Sequence, residues 1–156
     1  MKIAVFSDTH GSVSRLPLIK ASLKDIDAVL HLGDLAPDGA KIASELGVPR
    51  YAVLGNCDYT HGEPYERVET LGGVRMFLTH GHRYLSPYTI ALAAMERDCS
   101  IALFGHTHIP LIAQQDGCLL VNPGSFNLPR GGSKPGYAIL TLKNGAADAE
   151  LHSLSL

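Results

Sequence analysis

Short apolar runs recur along this chain, each broken by glycine or a polar cluster. Ile3–Phe6, Ala28–Leu32, Tyr51–Leu54, Val74–Thr79 and Ile101–Phe104 are of strand length and predict buried strands. Leu16, Ile19 and Leu23 recur at helical spacing, with Ser14 as the expected cap and Pro17 in the first turn. A polar turn is expected at Pro37-Asp38. Ala40, Ala43 and Leu46 then predict a helix that Gly47 and Pro49 end. Past Pro64 the pattern turns to hairpins. Glu66–Leu71 and Val74–Thr79 flank Gly72-Gly73, Ile109–Gln114 and Cys118–Val121 flank residues 115–117, and Tyr137–Leu142 pairs with Ala149–Leu154 across 143–148. Ser86 and Pro87 open a helix over Thr89–Arg97. Residues 127–136, rich in Gly and Pro, read as a mobile loop. A β-α-β-α-β half followed by hairpins implies an α/β domain, residues 1–156, with two packed sheets and helices outside.

Each of the first five strands runs into residues that can bind a metal. The tips are Asp8-Thr9-His10, Gly33-Asp34, Gly55-Asn56-Cys57-Asp58, His80-Gly81-His82 and Gly105-His106-Thr107-His108. Ligands of α/β proteins gather beyond the carboxyl ends of strands, so these tips are expected to meet along one sheet edge. A single His-x-His pair reads equally as a metal clasp or as two solvated histidines, but chance does not readily place five such tips. Asp8, His10, Asp34, Asn56, His80, His106 and His108 exceed the needs of one ion and suit two, if one carboxylate bridges. Their nitrogen and oxygen donors favour Mn, Fe, Co or Zn over Ca or Mg. Paired ions about 3.5–4 Å apart are a device for hydrolysing phosphate esters. No cysteine spacing suits a structural zinc site, and no serine sits in a nucleophile elbow. His31, among apolar neighbours, reads as a hydrogen-bonded core or supporting histidine rather than a ligand.

Composition narrows the classes. A chain of 156 residues has room for one domain with a core. Thirteen Lys and Arg against fifteen Asp and Glu, dispersed, give a net charge of −2 and no basic face for a nucleic-acid polymer. No apolar run is long enough for a membrane span, and the first is too short for a signal peptide. Cys57, Cys99 and Cys118 are odd in number and widely spaced, so no disulfide framework is expected and the location reads as cytoplasmic.

Asp8-x-His10, Gly33-Asp34, Gly55-Asn56, His80 and Gly105-His106-Thr107-His108 together resemble the calcineurin-like metallophosphoesterase superfamily, over residues 3 to about 142. Gly55-Asn56-Cys57-Asp58, Thr79-His80-Gly81-His82 and Asn122-Pro123-Gly124-Ser125 resemble its small prokaryotic phosphodiesterase branch, and also the retromer subunit of the same fold. The resemblance implies a four-layer α/β/β/α sandwich of two mostly mixed sheets. It implies one metal on Asp8, His10 and His108, a second on Asn56, His80 and His106, and Asp34 bridging. Manganese is the leading ion, with Fe, Ni, Zn and Co as alternatives. A small phosphate ester would be attacked in line by a metal-bound hydroxide, without a covalent enzyme intermediate. The alternative is a protein-binding scaffold of the same fold. A homo-oligomer, with a second subunit completing the pocket, is a further expectation.

Cys57 departs from the family, many members of which carry histidine there as the proposed leaving-group acid. An ordinary thiol, with a pKa near ~8.5, is a poor acid for that work. Cys57 therefore reads as a bystander, with His82 or water as the other proton source. Asp58 reads as a partner that orients a ligand. His61 reads as an exposed residue, with a substrate role as the alternative, and His82, Arg83, Asn127 and Arg130 read at least as readily as exposed residues as substrate contacts.

Overall fold

The computed structural model describes residues 1–59 and 62–155. Its strands are β1 Lys2–Phe6, β2 Ala28–His31, β3 Arg50–Ala52, β4 Glu66–Leu71, β5 Val74–Thr79, β6 Ile101–Leu103, β7 Leu111–Gln115, β8 Cys118–Asn122, β9 Gly136–Lys143 and β10 Ala146–Ser153. The helices are α1 Leu16–Ile19, continued by a 3-10 turn over Lys20–Leu23, α2 Pro37–Leu46 and α3 Pro87–Glu96. Two five-stranded sheets form, ordered β10-β9-β1-β2-β3 and β4-β5-β6-β8-β7. The β1-β2-β3 and β5-β6-β8 sets run parallel, and antiparallel strands flank them.

Strand alternation explains the four layers. Ile3, Val5 and Leu30 of the first sheet meet Met76, Leu78, Ile101 and Leu103 of the second in a core between the sheets. The opposite faces carry Ala4, Phe6 and Val29, which pack on Leu16, Ile19, Leu23 and Ile42 of the helical side. Phe77 and Ala102 pack on Ile90, Ala91 and Ala94 of α3. Phe6 anchors its layer, edge-on to Phe126 at 5.1 Å and stacked on Tyr137 at 5.6 Å. Such pairs add about 0.5–1.5 kcal/mol beyond area burial.

Several expectations shift at element ends. Ser14 does not cap α1; its hydroxyl bonds to that of Ser12, and Arg15 holds the N-cap position without a side-chain bond. Pro37 and Asp38 are not a turn but the first residues of α2. Ile42 and Ala43 are the buried apolar positions of the helix, while Ala40 and Leu46 are half-buried. Ser86 does cap α3, in a reciprocal capping box with Thr89. The last hairpin turns on Asn144-Gly145 alone, both at positive φ (54° and 75°), so β10 starts earlier than its side-chain pattern suggests. Residues 127–136 are held rather than loose: Leu128 and Arg130 bond to His108, and Ser133 to Arg130. Among the described residues, no helix is long and apolar enough to cross a membrane.

Candidate metal centre

The strand tips meet at the carboxyl ends of both sheets, not along one. β1, β2 and β3 deliver Asp8, Asp34 and Asn56, while β5 and β6 deliver His80, His106 and His108. The β4–β5 hairpin starts a new sheet, and the two parallel sets face each other across the core. Asp8 (φ 54°), His10 (49°), Asp34 (59°), His106 (69°) and His108 (60°) lie in the left-handed region. Non-glycine residues held there cost about 1–3 kcal/mol each, and persist only where the surroundings fix them.

Those surroundings are visible. The Asp58 carboxylate accepts backbone N–H bonds from Asp34 (2.9 Å), Leu35 (3.1 Å), Ala36 (2.8 Å) and Gly55 (2.8 Å). Its oxygens are therefore occupied by backbone, as expected of an orienting residue. The Ser125 hydroxyl donates to the Asp8 carbonyl at 2.7 Å and accepts from the Asn127 and Leu128 amides. The Asp8 Oδ2 accepts from Ser7 Oγ (2.6 Å) and from the His106 amide (3.0 Å), tying the two sheets together. A Cβ at Gly105 would lie 2.6 Å from that oxygen, so only glycine lets the loops approach.

All seven candidate ligands are brought together. Asp8, His10, Asp34 and His108 each offer one donor atom, all within 4.8 Å of one another. Asp8 Oδ1 lies 3.1 Å from His108 Nε2, 3.7 Å from His10 Nε2 and 3.8 Å from His80 Nε2. Asp34 stands between two groups: Oδ2 is 3.4 Å from His10 Nε2, and Oδ1 is 3.4 Å from His80 Nε2. His106 Nδ1 lies 3.2 Å from Asn56 Oδ1, and its ring is 5.2 Å from that of His80. His80 Nδ1 donates to the Leu32 carbonyl (2.7 Å) and His108 Nδ1 to that of Leu128 (2.5 Å). Both rings thus turn Nε2 toward the carboxylates. Asp8 Oδ1 and His80 Nε2 are buried without a hydrogen-bond partner. Buried polar atoms are rarely left so without a reason.

The electrostatics keep the two carboxylates charged. Burial alone would raise the Asp8 carboxyl, but the imidazoles of His10, His108 and His80 beside it hold it well below the carboxylate range. Asp34 is likewise lowered, its burial outweighed by His80. The Asp8 carboxylate beside it raises His10; Asp34 and Asp8 raise His80 against its burial. Burial and the neighbouring His80 lower His106.

The remaining candidates divide. The Cys57 amide donates to Asp34 Oδ1 at 2.9 Å, and burial and Asp34 push its thiol pKa up. The His82 ring is 5.4 Å from that of His80 and 6.3 Å from that of His106; its Nδ1 is buried and unpartnered, and burial and His80 lower its pKa. The Arg83 guanidinium stacks over Tyr65 at 4.0 Å. Asn127 is held by Arg15 (2.7 Å), and the exposed Arg130 bonds through its backbone amide to His108. His61 lies outside the described residues. His31 is a supporting core residue, accepting from the Gly33 amide and pairing with Thr9 Oγ1 at 3.0 Å.

Three supporting roles are not legible in the sequence. Asp38 accepts from the Gly11 amide beside His10, and its burial just after Pro37 was a readable signal only once the helix start was known. Asn122 bonds to the Gly105 carbonyl and Thr107. The Leu128 carbonyl acts through backbone alone, which leaves no residue signature.

The profile of the calcineurin-like phosphoesterase superfamily domain matches residues 1–145. Probable metallophosphoesterase YsnB of Bacillus subtilis (strain 168) is 34% identical over 156 residues, covering 97% of this chain and 90% of that protein. Phosphodiesterase YfcE of Escherichia coli (strain K12) is 31% identical over 165 residues, covering 90% of this chain and 87% of that one. The solved structure of Vps29 complexed with zinc from Entamoeba histolytica is similar in fold, with a TM-score of 0.79 at 22% identity, covering 96% of this chain and 97% of that one. Strand order, the grouped donors and these likenesses agree, and the chain belongs to the calcineurin-like phosphoesterase superfamily.

Proposed function

We propose that the protein is a metal-dependent phosphodiesterase that hydrolyses a small phosphate ester at a two-ion centre. Asp8, His10 and His108 would hold one divalent ion, Asn56, His80 and His106 the other, and Asp34 would bridge. The observation that carries this reading is the buried, unpartnered Asp8 Oδ1 and His80 Nε2, in a cluster where Asp34 turns one oxygen toward His10 and the other toward His80. Those atoms lack only an electron-pair acceptor, and the mixed donor set suits manganese or a neighbouring transition metal. When bound, such ions polarise phosphate oxygens and lower the pKa of water.

The chain's own residues supply positioning. Leu32 and Leu128 carbonyls fix the tautomers of His80 and His108. Asp58 and Ser125 lock the backbones of Asp34 and Asp8. His82, whose ring is 5.4 Å from that of His80, stands beside the cluster as the other candidate to hand a proton to a leaving oxygen, while burial and Asp34 make the Cys57 thiol a weaker acid. The scaffold alternative tolerates loss of ligands, whereas here every one of the seven positions carries a competent donor.

Metal-stripped protein titrated with Mn²⁺ against bis-p-nitrophenyl phosphate and p-nitrophenyl phosphate, beside Asp34→Asn, tests the reading. Metal-dependent turnover that prefers the diester and disappears in the variant is expected. No turnover of either ester with Mn²⁺, Ni²⁺, Zn²⁺ or Co²⁺ would leave the scaffold.

A further inference from the structure

The two sheets end in four edge strands, β10, β3, β4 and β7. Exposed edges invite pairing, and proteins blunt them with charge, proline, bulges or brevity. β3 is three residues long and carries Arg50; β4 carries Glu66, Arg67 and Glu69; β10 carries Asp148 and Glu150. β7, Leu-Ile-Ala-Gln-Gln, has none of these protections.

Its open groups can be identified. The Leu119 amide bonds to Ser100 and the Val121 carbonyl to Phe104, so these residues of β8 face β6. Leu120 and Asn122 therefore face β7, paired with Ala113 and Leu111. In an antiparallel ladder the alternate residues point outward, which leaves the amides and carbonyls of Ile112 and Gln114 at the free edge. Among the described residues, neither has a backbone bond outside its own strand ladder. Ile112 is 39% exposed, and on the opposite face of the strand Ile109, 45% exposed, lines an apolar groove with Pro87, Phe104, Pro110 and Leu111.

We infer that the β7 edge is a homodimer interface, in which two copies pair antiparallel about a two-fold axis at Ala113 and join their second sheets into one. The register is self-complementary. Ile112 of one copy opposes Gln114 of the other, so the four outward groups of each edge are satisfied in two symmetric pairs of bonds. Leu111 opposes Gln115, and Pro110 opposes Asp116. The second copy's hairpin turn, 115–117, thus lies against the groove beside Pro110. Lys134 lines a depression with Pro110, which sets Asp116 of the second copy next to a lysine at both ends of the junction. Both side chains are exposed in the single chain. Charge complementarity at both ends of the junction favours this register.

Sedimentation equilibrium of the full chain at tens of micromolar tests the inference. A dimer is expected for the wild type and a folded monomer, checked by circular dichroism, for Ile112→Lys. Asp116→Lys and Lys134→Glu should each weaken the dimer by about tenfold or more, and the double variant should recover it. A monomeric wild type, a dimer that survives Ile112→Lys, or a double variant no tighter than either single one would overturn the inference.

Discussion

Asp58→Asn is the sharpest probe of how the centre is held. The aspartate carboxylate receives four backbone N–H bonds at 2.8–3.1 Å, two of them from Asp34 and Leu35, whose φ values are 59° and 75°. Each carboxylate oxygen accepts two of these bonds; asparagine offers one acceptor oxygen, so its NH₂ group must face two donors. Bonds to a charged group contribute about 1.5–3 kcal/mol each, so loss of two predicts about 3–6 kcal/mol of destabilisation at this buried position. The two left-handed residues then relax, and Asp34 leaves its place between His10 and His80. Misdirected support of this kind costs about 10–100-fold in metal affinity. Urea unfolding of metal-stripped protein reads the first quantity, and calorimetric Mn²⁺ titration of the folded variant the second. A variant within about 0.5 kcal/mol of wild type that binds Mn²⁺ equally well would refute the reasoning.

Three further outcomes follow from the same geometry. Gly105→Ala should lower stability by about 1–3 kcal/mol in thermal or urea melts, because its methyl would meet Asp8 Oδ2 at 2.6 Å. His31 is fully buried and pushed by that burial down to about 4 from 6.5, so it contributes stability above pH 6.5 that is lost as pH falls. Between pH 7 and pH 5 this amounts to about 2 kcal/mol, and His31→Gln should flatten the urea-midpoint profile by that much; parallel profiles would contradict it. Cys57→Ala should change turnover of good and poor leaving groups alike by less than about threefold; selective loss with poor leaving groups would make the thiol the acid.

The architecture was legible because apolar runs of strand length alternate with turn residues. Ile3 and Val5 face one way and Ala4 and Phe6 the other, as a strand between two packed layers requires. The donors were legible because a metal site needs a narrow set of residue types, and strand tips are where they are useful. Element ends were less so: Pro37-Asp38 has the composition of a turn, yet Pro is well tolerated in the first turn of a helix. The Gly/Pro-rich stretch 127–136 looked loose, since its anchors to His108 run through backbone atoms that carry no residue identity. Ser125 and Asp58 show the middle case, polar residues whose burial, not their type, gives them a positioning role.

The most direct test of the two-ion centre is metal stoichiometry on the intact chain. Protein stripped of metal, reloaded with Mn²⁺ and freed of excess should carry two ions per chain by elemental analysis, and Asp34→Asn at most one. A single ion in the wild type, or two in Asp34→Asn, would contradict a centre bridged by Asp34.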